Sequence, residues 1–292
     1  MKIQIECVPC LLKRIVFESE QSTNDKKIQQ KTLKKTLTLL AELYDPNGCS
    51  ASIATKVHRV AYDALSDEDP YKDLKKQSNK IAKKLVPRVE ELVFVSEDPI
   101  RMSMLCSIVG NMMDFGIRGG SKNPNDLSDI FEEIISEDLG WDDVDEVKEI
   151  LSKSKNVILF TDNCGEVVFD KILCREIKKF NPDIFLTLVV KGEKILSDAT
   201  MEDAKELGMN EVVDEILTTG CFAVGVDFDR LPSDVDEKLK SSDLIICKGM
   251  ANYESFSETN YRPIAYLLRT KCSAIADSMG LPIDICAVKL YR

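Results

Sequence analysis

Over the first 120 residues apolar positions recur at three- and four-residue spacing, whereas from Asn156 onward short β-branched runs alternate with helical patterns. The spacing predicts helices over Lys27 to Leu43, Ser52 to Leu65 and Leu74 to Val93, punctuated by the turn signals Asp45-Pro46-Asn47-Gly48 and Asp67-Glu68-Asp69-Pro70. A longer apolar helix, Pro99 to Ile117, stops at Arg118-Gly119-Gly120-Ser121, where a domain boundary is placed. The strongly acidic stretch Asn125 to Glu149 reads as an exposed connecting region with one or two helices. Strands are expected at Val157 to Phe160, Ile184 to Val190, Glu211 to Ile216, Leu244 to Cys247, Ser273 to Ala276 and Ile285 to Lys289. Strand-helix alternation implies βαβ units: an α/β fold with a mostly parallel sheet covered by helices on both faces. The chain thus divides into a helical domain (1–120), an acidic connecting region (121–155) and an α/β domain (156–292).

Composition narrows the class. At 292 residues, 44% hydrophobic and 30% charged, the chain can bury a sizeable core. No run approaches the roughly 18 uncharged apolar residues of a membrane helix, and the N-terminus lacks a signal-peptide layout, so a cytoplasmic location is expected. The net charge of -11 argues against nucleic acid, which needs a basic face. The lysine runs Lys26 to Lys35 and Lys75 to Lys84 read as solvated helix faces. Ten scattered cysteines read as reduced core residues. Cys7-Val8-Pro9-Cys10 lacks a second pair at zinc spacing and does not follow a strand, so a structural role is expected, with metal binding or a thiol switch as alternatives. The single histidine, His58, sits in a helical pattern and offers no support for a Ser-His-Asp mechanism.

Ligands of parallel sheets bind beyond the carboxyl ends of the strands, and three strand ends are unusually polar. They are Asp162-Asn163-Cys164-Gly165-Glu166, the loop Lys191 to Thr200, and Lys248-Gly249-Met250-Ala251-Asn252-Tyr253-Glu254. Asp162, Asn163 and Asp198 form a hard-oxygen set suited to one divalent ion, Mg²⁺, Mn²⁺, Co²⁺ or Ni²⁺. Lys248 with Gly249 suits a phosphate-binding turn. Asn111, Asp114 and Arg118 share one face of the apolar helix, either capping its end or lining a cleft.

Taken in order, Glu6 to Cys10, Gly110-Asn111-x-x-Asp114-Phe115, Asp162 to Glu166 with Asp170, Ser197 to Thr200, and Lys248 to Glu254 resemble the damage-control phosphatase family, formerly domain of unknown function 89. The likeness covers nearly the whole chain and is nearest the stand-alone archaeal-type branch. It implies a helical N-terminal region on a Rossmann-like α/β/α sandwich, with a divalent metal between them. Carried over, the metal ligands are Asp162, Asn163 and Asp198, while Asn111, Asp114, Glu166, Lys248 and Asn252 line the substrate pocket.

The expected activity is hydrolysis of small phosphomonoesters, such as sugar phosphates or damaged side-product metabolites, by metal-activated water. Asp162 or Glu166 would take the proton, and Lys248 with backbone N–H groups near Gly165 and Gly249 would hold the phosphoryl oxygens. Attack by Asp162 itself is the alternative, disfavoured because the Asp-x-Asp of aspartyl-phosphate enzymes is absent: position 164 is Cys. The rival readings are a metabolite sensor without turnover and an S-adenosylmethionine-dependent carboxyl methyltransferase, the activity described for one relative. An acid-amide pair stands where a glycine-rich cofactor turn would be expected.

Overall fold

The computed structural model describes residues 1–111 and 126–292. Five helices come first: α1 (Cys7–Ser22), α2 (Lys26–Leu43), α3 (Ser50–Leu65), α4 (Lys72–Val95) and α5 (Pro99–Gly110). Their starts follow local chemistry. Asp25 accepts a hydrogen bond from Lys27 N at 2.8 Å, and Asp98 from Arg101 N at 3.0 Å, with Pro99 in the first turn of α5. Then come α6 (Asp126–Glu137), β1 (Leu139–Asp142), α7 (Val144–Leu151), β2 (Asn156–Phe160), α8 (Glu166–Phe180), β3 (Phe185–Val190) and α9 (Met201–Glu206). The chain closes with β4 (Glu215–Thr218), α10 (Ser233–Ser241), β5 (Leu244–Lys248), α11 (Gly249–Phe256), β6 (Ile264–Arg269), α12 (Ser273–Met279) and β7 (Cys286–Tyr291).

The strands form one seven-stranded sheet in the order β1-β7-β6-β5-β2-β3-β4, parallel except where β6 meets β7. After β4 the chain returns to the other side of β2, so the strand order reverses around β2, the crevice where such sheets bind ligands. Alternate residues serve opposite faces. Val157, Leu159, Leu244 and Ile246 pack with α4, α5 and α8, whereas Ile158, Phe160, Ile245 and Cys247 pack with α10, α11 and α12. Helices α1–α3 build a third core that includes Ile195, Leu196, Phe222 and Val224 from loops beyond β3 and β4. This is the α/β/α sandwich expected from the sequence.

Several elements differ from expectation. The acidic stretch holds β1, which pairs with β7 as an edge strand, and α7, whose Val144, Val147 and Leu151 are buried. An edge strand needs only backbone partners, so its polar side chains hide it from pattern reading. Ile264–Arg269, a strand buried along its whole length, carries no alternation to signal it. Ser273 to Ala276 is helical instead; four residues are too few to separate the two periods, and Gly280 in the left-handed region ends the helix. The fourth strand begins at Glu215, after a helical turn at Met209–Glu211. Lys75 is buried against Asp69 at 3.0 Å, while the other lysines of both runs are exposed. His58 is buried with Nδ1 2.7 Å from Glu18 Oε1, a packing role. No helix among the described residues is long and apolar enough to cross a membrane.

Candidate active site

The three polar strand ends converge at the reversal of strand order. After β2 the chain makes the turn Thr161 to Gly165, which is laced to the turn after β3. Cys164 N donates to Ser197 O at 2.7 Å and Ala199 N to Asp162 O at 2.8 Å, and Asn163 and Asp198 form an isolated bridge. The two turns therefore present Asp162, Asn163 and Asp198 side by side, each less than a tenth exposed. Gly165, at φ 95°, lets the chain swing into α8, whose first residue is Glu166.

Asn111 at the end of α5 joins these groups from the helical side. Its Nδ2 donates to Asp162 Oδ2 and to Glu166 Oε1, each at 2.8 Å. Asn163 Nδ2 also donates to Asp162 Oδ2 at 2.8 Å, and its Oδ1 accepts from Ser197 Oγ at 2.6 Å. Burial, followed by the negative charges of Glu166 and Asp198, pushes the Asp162 carboxyl well above its ordinary range. Lys191 Nζ lies 3.3 Å from Asp198 Oδ2.

Lys248, the last residue of β5, is wholly buried. Its Nζ donates to Glu166 Oε2 and Asp170 Oδ1, both at 2.9 Å, and to Ser107 O at 3.1 Å. Burial works against its charge, but Asp170 and Glu166 outweigh it and hold its pKa above the ordinary lysine value. Asp170, buried one helical turn beyond Glu166, has its pKa pushed up to about 6, chiefly by burial. These bonds correct the expected phosphate-binding role of Lys248: all three ammonium hydrogens are taken inside the protein. The same holds for the Gly165 N–H, which donates to Asn79 Oδ1 at 2.7 Å.

Gly249 has φ 73° and opens α11; a Cβ there would lie 1.9 Å from Asp162 Oδ2. Only glycine lets this helix start approach the carboxylate so closely. Asn252, one turn on, donates through Nδ2 to Thr161 O at 2.9 Å and Lys248 O at 2.7 Å, while its buried Oδ1 has no hydrogen-bond partner. Asp114 lies outside the described residues, as do Met112, Met113, Phe115 and Arg118.

Four residues of this cluster escaped the sequence reading. Asn79 on α4 and Ser107 on α5 carry no motif, and Ser107 Oγ donates to Asp170 Oδ1 at 2.6 Å. Lys191 stood within a polar loop without an assigned role. Lys271 follows β6, the strand whose pattern was not legible, and its Nζ donates to Asn111 O at 2.9 Å and to Asn111 Oδ1.

Asp162, Asp198 and the amide oxygen of Asn163 are hard donors on adjoining turns, and the buried carboxylates Asp162, Glu166 and Asp198 repel one another in a way that a cation would relieve. Among the described residues no three Asp, Glu, His or Cys side chains are arranged to hold a metal, and the amide oxygen of Asn163 is the further hard donor beside the two carboxylates. The donor chemistry, the raised Asp162 pKa and the close approach at Gly249 together fit a small divalent ion. A cavity of about 750 Å³ borders the cluster at Lys191 and Thr200, with Arg59, Tyr62, Asp67 and Glu193 among its lining.

The chain is similar along its whole length to known proteins. Residues 3–284 match the damage-control phosphatase ARMT1-like domain. A damage-control phosphatase of Archaeoglobus fulgidus is 37% identical over 292 residues, covering 100% of both chains. A damage-control phosphatase of Pyrococcus horikoshii is 30% identical, covering 97% of this chain and 96% of the relative. The crystal structure of a DUF89 family protein from P. horikoshii superposes with a TM-score of 0.90 at 28% identity, covering 100% of both chains. A family model matched over residues 3–284 and a relative 37% identical along the whole chain show that the chain belongs to the damage-control phosphatase ARMT1-like family.

Proposed function

We propose that the protein is a phosphatase that hydrolyses small phosphomonoesters with the help of one divalent metal ion. The observation that carries this reading is the meeting of Asp162, Asn163 and Asp198 beside the N-terminus of α11. Asp162, Asn163 and Asp198 would hold the ion, which when bound supplies positive charge to the phosphoryl oxygens and acidifies water. The two hydrogen bonds from Asn111 and Asn163 both fall on Asp162 Oδ2 and fix the orientation of that carboxylate.

Glu166 receives hydrogen bonds on both oxygens, from Asn111, the Asn163 N–H and Lys248. It is therefore a rigid positioning group, which leaves Asp162 as the acceptor for a proton from water. The first N–H groups of α11 are the anion-binding element, in place of Lys248 and the Gly165 N–H. Asn252 Oδ1, an unpartnered acceptor, suits a hydroxyl of the substrate. The polar lining at Arg59, Asp67 and Glu193 likewise suits a hydroxylated leaving group such as a sugar.

The test is phosphate release from a panel of sugar phosphates and an aryl phosphate, using chelator-stripped protein with single divalent metals added back. Release that requires metal and is lost in Asp162→Asn and Asp198→Ala supports the proposal. Metal-independent release, or full activity of Asp198→Ala, refutes it. Metabolite binding without release would favour the sensor reading, and methyl transfer from S-adenosylmethionine without metal the methyltransferase one.

A further inference from the structure

We propose that Cys7 and Cys10 are a reversible dithiol-disulfide pair, a modification site whose state is transmitted to the active site through the turn after β6. Cys7-Val8-Pro9-Cys10 forms the first turn of α1. Cα atoms three residues apart in an α-helix are separated by about 5 Å, inside the roughly 4.4–6.8 Å window of disulfides. Pro9 is tolerated here because the first-turn N–H groups have no helical partner. All ten cysteines are free thiols in this structure, yet they differ sharply in access. Cys106, Cys164, Cys174 and Cys247 are buried, whereas Cys10 is exposed and Cys7 half-buried.

The surroundings assign different roles to the two sulfurs. Burial pushes the Cys7 thiol up, and the nearby Glu254 carboxylate adds to it, so Cys7 is the protonated partner and exposed Cys10 the one a reagent reaches. With a hydroperoxide as oxidant, Cys10 Sγ attacks the outer oxygen, the O–O bond breaks, and water or an alcohol leaves. The resulting sulfenic acid is attacked by Cys7 Sγ: the S–S bond forms, the S–O bond breaks, and the departing hydroxide takes the Cys7 proton as water. The two thiols lose two electrons to the peroxide, and two hydrogens leave the protein.

A route to the site is present. Cys7 and Cys272 each pack against the core under α10–α12, and Ser273 Oγ donates to Glu6 Oε1 at 3.0 Å. Glu6 precedes Cys7, and Cys272 caps α12 directly after Lys271, whose ammonium holds Asn111. Drawing the Cys7 sulfur toward Cys10 withdraws it from this core and disturbs the adjoining Glu6–Ser273 contact, which loosens the Lys271 turn.

The experiment treats the full-length protein with hydrogen peroxide, blocks remaining thiols, and maps peptides without reduction. A Cys7–Cys10 link that dithiothreitol reverses and Cys10→Ser abolishes is the expected result. A link from either residue to Cys272, or irreversible oxidation alone, overturns the pair. Hydrogen exchange at the amides of Lys271, Cys272 and Ser273 then reads the coupling: exchange faster by roughly fivefold in the oxidised protein is expected, and exchange unchanged between the two states overturns the transmission. Neither measurement depends on phosphatase activity.

Discussion

Replacing Lys248 by Met separates a buried positioning role from a substrate-binding one. The ammonium is 0% exposed and is the cation contacted by Glu166 and Asp170, themselves 0% exposed, at 2.9 Å each. Removing one partner of a buried ion pair costs about 3–5 kcal/mol, and here one deletion strips two carboxylates. Against a typical domain stability of roughly 5–15 kcal/mol, that is a third or more of the total. The cost depends on pH with a definite sign. Asp170 already has a folded pKa of about 6 against an ordinary 3.8, and loss of Lys248 raises it further. A carboxyl whose folded pKa lies above its unfolded value makes the folded state the better proton binder. Its destabilising effect is therefore absent below the unfolded value and grows as pH rises through the folded one. Urea unfolding followed by circular dichroism should show the variant destabilised by several kcal/mol near pH 8, and by distinctly less near pH 5. Adding Glu166→Gln and Asp170→Asn to the variant should return most of the loss, because no unpaired charge then remains. A Lys248→Met protein within about 1 kcal/mol of the parent near pH 8, with a raised KM instead, would refute the reasoning and restore Lys248 to the phosphate.

Further outcomes follow from individual contacts. Gly249→Ala forces a left-handed backbone costing about 1–2 kcal/mol and drives a methyl into Asp162 Oδ2; displacement of this size should lower kcat on the order of 100-fold, read by steady-state phosphate release. Asn111→Ala removes the donor shared by Asp162 and Glu166, so metal affinity measured by calorimetry should weaken by roughly 10–100-fold, with the fold intact by circular dichroism. Asp170→Asn alone should reduce the loss of stability between pH 3.8 and about 6 that this carboxyl causes, measured as the change in urea midpoint across that window. Adding the productive metal at 100 times its Kd should raise unfolding stability by about 2.7 kcal/mol, an increment that Asp198→Ala abolishes.

The linear sequence was enough to set the fold class. Periodicity near 3.6 over the first helices and short β-branched runs after Asn156 specify layers of helices on a parallel sheet, since each element must bury its apolar side. The turns at Asp162, Asp198 and Lys248 were visible for a related reason: polar residues at the ends of buried strands have no structural cause of their own. Elements without contrast were not visible. The all-buried β6 and the polar edge strand β1 lack alternation, and with β6 went Lys271, whose position depends on a strand the pattern did not reveal. Tertiary structure alone decided which partners the charged groups take. Lys248 looks like a phosphate-binding lysine beside a glycine, yet α5 and α8 close over it and supply Ser107, Glu166 and Asp170 from 141, 82 and 78 residues away. Local sequence determines where a side chain can start, whereas its charge is balanced through space, by groups that only the folded packing brings within reach.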